Sequence, residues 1–107
     1  MCGFVGYINN LNTKNLSKSV ILNMNQALYH RGPDDQSYLE TEKLSLGFSR
    51  LSIIDLNSRS NQPMTTTNQE LIIIFNGEIY NYLELKKELE KFYKFTTLGD
   101  TEVLLNS

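Results

Sequence analysis

The chain has one cysteine, and it stands second. If Met1 is removed, Cys2 becomes the N-terminal residue and carries both a thiol nucleophile and a free α-amine. The amine titrates at about 7.7–8.0 and the thiol near 8.5, so at neutral pH the amine can serve as base to the thiol without a histidine. Glycines at positions 3 and 6 leave little side chain beside the sulfur, which admits close approach of substrate or backbone. The bland alternative for a lone cysteine is a small buried hydrophobe. The choice rests on what the later segments supply.

The elements that must position this residue follow from pattern. Gly3-Phe4-Val5-Gly6-Tyr7-Ile8 is rich in aromatic and β-branched residues and predicts a strand with Cys2 at its start. Asn9 to Asn15 reads as a polar loop. From Ser17, the positions Val20, Ile21, Met24, Ala27 and Leu28 share one helical face, and that helix stops before Gly32-Pro33. Arg31-Gly32-Pro33-Asp34-Asp35 has turn chemistry throughout and is read as structural, with His30, the single histidine, at the helix end. Two strands follow, Gln36 to Glu40 and Leu44 to Arg50. Ser52 to Leu56 continues extended, and Asn57 to Gln69 is a polar loop.

Leu71 to Phe75 is apolar on both faces, which predicts a strand covered on both sides. Asn76-Gly77 comes next and by itself favours a hairpin turn. The residues beyond argue otherwise: Tyr82, Leu85, Leu89 and Phe92 recur at helical spacing behind a capping-box-like Asn81 and Glu84. Asn76-Gly77-Glu78 is therefore predicted at a strand-to-helix junction. Thr97 to Glu102 reads as a loop entering another helix, with Asp100 near its N-cap.

Composition narrows the function classes. A length of 107 residues suits one small domain or a piece of a larger one, and 40% hydrophobic content fits a soluble globular protein. The net charge of −2 is spread without a basic stripe, which argues against nucleic acid. One cysteine excludes an internal disulfide and a multi-cysteine zinc site, and suits a reducing cytosol. No secretory signal opens the chain, and its longest apolar run, Leu71 to Phe75, is too short to span a bilayer. The expected setting is cytoplasmic, with no membrane partner, no metal and no phosphate loop.

Five segments now stand together: Met1-Cys2-Gly3-Phe4-Val5-Gly6, Arg31-Gly32-Pro33-Asp34, Arg50-Leu51-Ser52-Ile53-Ile54-Asp55, Asn76-Gly77-Glu78-Ile79-Tyr80-Asn81 and Gly99-Asp100-Thr101-Glu102. Their order and spacing resemble the class II, N-terminal-nucleophile glutamine amidotransferase domain, and more narrowly that of the glutamine-hydrolysing asparagine synthetases. The resemblance implies an α+β fold, the αββα four-layer sandwich, of which residues 1–107 are about the first half. It implies that Cys2 attacks the side-chain amide of glutamine, with Asn76 and the Gly77 N–H as oxyanion hole. Arg50 would hold the substrate α-carboxylate, Glu78 and Asp100 its α-ammonium, and the backbone at Leu51 and Ile53 would add polar contacts. No cofactor is expected in this stretch. ATP and Mg²⁺ are expected in a synthetase domain beyond it, which would use the ammonia to amidate aspartate.

Other readings stay open at this point. Arg50 can be a surface arginine at a strand end, Asp100 only a helix cap, and Glu78 a solvated charge. The motifs also suit a relative that amidates another acceptor, such as a sugar carboxylate, or a non-catalytic remnant that pairs with a partner chain. With half a sandwich, the apolar run at Leu71–Phe75 would be exposed and invite self-association.

Overall fold

The computed structural model describes residues 2–9, 18–52 and 58–107. The chain divides into two compact units, Met1–Leu51 and Ser52–Ser107. Each combines antiparallel strands with helices, so the fold class is α+β, as expected, and compatible with part of the N-terminal-nucleophile sandwich. Among the described residues no helix is long and apolar enough to cross a membrane.

The first unit is a three-stranded sheet under one helix. Strands β1 (Gly3–Ile8), β2 (Asp35–Glu40) and β3 (Leu44–Arg50) lie in the order β1-β3-β2, antiparallel throughout. Helix α1 (Lys18–Gln26) packs on all three. Successive strand residues face opposite sides. A Cβ on Gly47 would lie 3.0 Å from that of Asn25, so the face bearing Ser45, Gly47 and Ser49 is the one that α1 covers. Small residues there let the helix lie close to the sheet. Ile21 and Phe48 are fully buried, each worth about 1.5–3 kcal/mol of burial. The predicted helical stripe is narrower than expected, because Ala27 is exposed while the polar Asn25 is buried. A 3-10 turn, Tyr29–Arg31, then carries the chain to Gly32, leaving His30 exposed.

The second unit departs further from expectation. The strand predicted over Leu71–Phe75 shrinks to β5 (Ile72–Ile73), which pairs with β4 (Met64–Thr65), inside what the sequence suggested was all loop. Cover on both sides is not found: Leu71 is 58% exposed and Ile72 to Phe75 are half-buried. The ladder stops early for a visible reason. The side-chain amide of Gln62 takes both backbone groups of Phe75, accepting from its N–H and donating to its carbonyl oxygen at 3.0 Å. A side chain replaces the partner strand.

Helices α2 (Tyr82–Leu89) and α3 (Asp100–Asn106) pack on each other, and α3 also packs on β4 and β5. The expected capping box is absent. Asn81 sits at the N-cap with φ −98° and ψ 21°, away from the extended geometry that lets a capping side chain reach back, and makes no side-chain cap. Its carbonyl instead accepts from Glu84 and Leu85. Helix α2 also ends before Phe92, which is 79% exposed. Gly99 is the N-cap of α3 and Asp100, as expected, stands beside it as the first helical residue.

Glu102 anchors the loop before α3. Its carboxylate accepts from the N–H and hydroxyl of Thr97 at 2.7 and 2.6 Å, and from those of Thr96 at 2.9 and 3.2 Å. Burial pushes its pKa up, but the Thr97 and Thr96 donors outweigh that and hold it below the usual carboxylate range. A carboxylate depressed in the folded state stabilises above its unfolded pKa, about 4.3, and loses that contribution as pH falls through the lower folded value. Thermal melts should therefore show wild type losing stability below about pH 4 more steeply than Glu102→Gln. Parallel curves for the two proteins would contradict this role.

Candidate functional site

In the first unit, β1 delivers Cys2 to the end of the central strand. The register Gly3 to Ser49, carried one residue further, sets Cys2 across from Arg50. Beyond Arg50, the N–H of Leu51 donates to the Cys2 sulfur at 3.2 Å, and the thiol lies 3.4 Å from the Leu51 carbonyl oxygen, to which it can donate. The Leu51 backbone, expected to touch substrate, thus meets the nucleophile itself. Arg50 is 7% exposed, so it is not the surface arginine that its position at a strand end allowed. A buried guanidinium is a strong site for a carboxylate, because both oxygens can be bound in a low dielectric. Ile53 and Met1 lie outside the described residues.

Two features that sequence reading missed or undervalued fix the strand backbone at and before Arg50. The Arg31-Gly32-Pro33-Asp34 loop lies directly on its backbone: the Asp34 N–H donates to the Arg50 carbonyl at 3.0 Å. A Cβ on Gly32 would fall 2.2 Å from the Ser49 carbonyl oxygen. On the helix side is a polar network. Asn25 donates to the carbonyls of Ser37 and Phe48 at 3.1 and 3.3 Å, the Ser49 hydroxyl donates to Asn25 at 3.0 Å, and Gln36 bridges the Asn25 carbonyl and the Ser49 hydroxyl. The available signal was an asparagine one residue from Met24 inside an apolar helical stripe, where a buried amide must find partners.

In the second unit, Asn76, Gly77 and Glu78 are exposed and sit between β5 and α2. The predicted strand-to-helix junction is found and a hairpin is not. Asp100, buried, reaches back so that one carboxylate oxygen accepts from the Ile79 N–H at 2.8 Å. Gln62 holds Phe75 at the other end of the turn. Neither Asn76 nor Gly77 hydrogen-bonds any described residue, which leaves an amide and a backbone N–H to donate outward. Among the described residues no group of three or more His, Cys, Asp or Glu is placed to hold a metal ion.

The first unit can therefore supply a thiol nucleophile and a buried cation for an anion, and the second, by itself, outward N–H donors beside carboxylates. Comparison with known proteins shows the family. The chain is 50% identical to "Asparagine synthetase [glutamine-hydrolyzing] 1" of Bacillus subtilis (strain 168), over 98% of its own length and 17% of the relative. It is 37% identical to "Asparagine synthetase [glutamine-hydrolyzing] 2" of the same organism, over 99% of the chain and 14% of the relative. It is 36% identical to "Asparagine synthetase [glutamine-hydrolyzing]" of Zea mays, over 97% of the chain and 17% of the relative. The chain thus spans at most 17% of the length of these three relatives. The glutamine amidotransferase domain family matches residues 1–107 from end to end, and the chain belongs to that family.

Proposed function

We propose that this domain hydrolyses glutamine to glutamate and ammonia through a thioester on Cys2. The observation that carries the reading is the seat of the sulfur, held by the Leu51 N–H and set across from the buried Arg50. Once Met1 is removed, the α-amine of Cys2 takes the thiol proton and the sulfur attacks the side-chain amide carbon. Asn76 and the Gly77 N–H hold the oxyanion. The proton passes from the amine to the leaving nitrogen, the C–N bond breaks and ammonia departs. Water, deprotonated by the same amine, then attacks the thioester, and glutamate leaves with the thiol restored. Arg50 binds the α-carboxylate, and Glu78 with Asp100 the α-ammonium. Asp100 can do both tasks, since only one of its oxygens is taken by Ile79.

In the complete protein the ammonia would amidate aspartate, in line with the names of the relatives. ATP and Mg²⁺ would belong to a synthetase domain, the expected partner, and the setting would be cytoplasmic. The test is glutamate release by the complete protein, with mass spectrometry of the Cys2 peptide after rapid quenching. A glutamyl adduct on that peptide supports the thioester; full turnover with the adduct on no cysteine sinks it. Arg50→Ala should raise KM for glutamine about ten- to a hundredfold, the cost of one charge-assisted pair. An unchanged KM would remove Arg50 from the carboxylate role.

A further inference from the structure

Gln62 is 6% exposed and is used by none of the steps above. Its side-chain amide binds both backbone groups of Phe75 and also donates to the Thr101 hydroxyl at 3.2 Å. A peptide unit is planar, so holding the Phe75 carbonyl fixes the plane that runs into the Asn76 nitrogen. Three residues later, Asp100 fixes the Ile79 N–H. Only Asn76, Gly77 and Glu78 lie between these clamps, and their dihedrals must span two fixed planes. The direction of the Gly77 N–H is set by that span.

We infer that Gln62 is a positioning residue for the oxyanion donors, pinning the entrance of the Asn76-Gly77-Glu78 turn through Phe75 while Asp100 pins its exit. The inference rests on the proposed role of Asn76 and Gly77. Donors aimed at an oxyanion act only once charge develops on the substrate oxygen, so their misplacement lowers kcat and leaves KM in place. An aim about 1 Å off is enough to cost on the order of 10²-fold.

The experiment compares wild type, Gln62→Met, Thr101→Val and Asn76→Ala in the complete protein. It measures kcat and KM for glutamine, and the rate at which iodoacetamide alkylates Cys2. Gln62→Met keeps the volume and removes the clamp. Its kcat should fall about ten- to a hundredfold, with KM within about twofold and the alkylation rate unchanged. Thr101→Val, nearly isosteric, removes the anchor of the Gln62 amide and should lower kcat a few-fold in the same pattern; it decides the matter if Gln62→Met does not fold. Wild-type kcat in these variants, beside a drop in Asn76→Ala, overturns the role of Gln62 and leaves the oxyanion assignment standing. Unchanged kcat in Asn76→Ala overturns that assignment and the inference with it. A joint shift of kcat, KM and alkylation rate marks general loosening and overturns positioning.

Discussion

Cys2→Ala should lower glutamate release on the order of 10⁶-fold, the scale at which a hydrolase suffers when its covalent nucleophile is removed. Nothing else among the described residues can take its place, since it is the only cysteine and the only histidine is exposed on a separate turn. The fold should survive. The substitution removes one half-buried sulfur and its contacts with Leu51, a loss of about 1 kcal/mol, while the β1–β3 ladder begins only at Gly3. The variant should still bind glutamine, because the Arg50 backbone is held by Asp34 and the strand leading to it by the Asn25 network, and Cys2 has no part in either. Isothermal titration would then report near-native affinity beside absent turnover. Turnover retained in Cys2→Ala would end the nucleophile assignment, and lost binding would show that the thiol is also part of the substrate seat.

How much of this was legible in the sequence divides by the range of the interactions. Strands Gly3–Ile8 and Leu44–Arg50 were readable to the residue, because alternation and flanking turn residues are local signals. The junction at Asn76-Gly77 was readable because helical spacing after it outweighed the hairpin preference of the dipeptide. What was not readable depended on partners far along the chain. Gln62 ends β5 early by taking the hydrogen bonds of Phe75, thirteen positions away. Asp100 looked like a helix cap, and one of its carboxylate oxygens accepts from the Ile79 N–H twenty-one positions back. Asn81 and Glu84 have the residue types of a capping box without the backbone geometry. The site followed the same rule. Cys2, Arg50, Asn76 and Gly77 could be proposed from motifs, but Asn25, Gln36, Ser49 and Gln62, whose hydrogen bonds lie beside Arg50 and Asn76 in the chain, carry no pattern of their own.

Gly32→Ala should be the most damaging single-methyl change in the first unit. The φ of Gly32 is −151°, extended backbone that any residue adopts, so conformational freedom is not the issue. Space is. The added Cβ would fall 2.2 Å from the Ser49 carbonyl oxygen, 2.4 Å from its carbonyl carbon and 2.6 Å from the Arg50 carbonyl carbon. All three are backbone atoms of the central strand, and none can turn aside as a side-chain tip would. Relief requires lifting the loop off β3, which breaks the Asp34 bond to the Arg50 carbonyl. Overpacking of this kind costs about 3 kcal/mol, a fall in Tm on the order of ten degrees for a domain of this size. Gly99→Ala is the matched control: its Cβ would meet nothing nearer than the Ser60 hydroxyl at 3.9 Å, at φ −84°, so its Tm should stay within about two degrees of wild type. In any Gly32→Ala protein that remains folded, KM for glutamine should rise more than kcat falls, because the displaced backbone is that of Arg50. A native melting temperature with a native KM would mean that the loop can shift without disturbing the strand, and that the Arg-Gly-Pro-Asp turn does not hold the arginine in place.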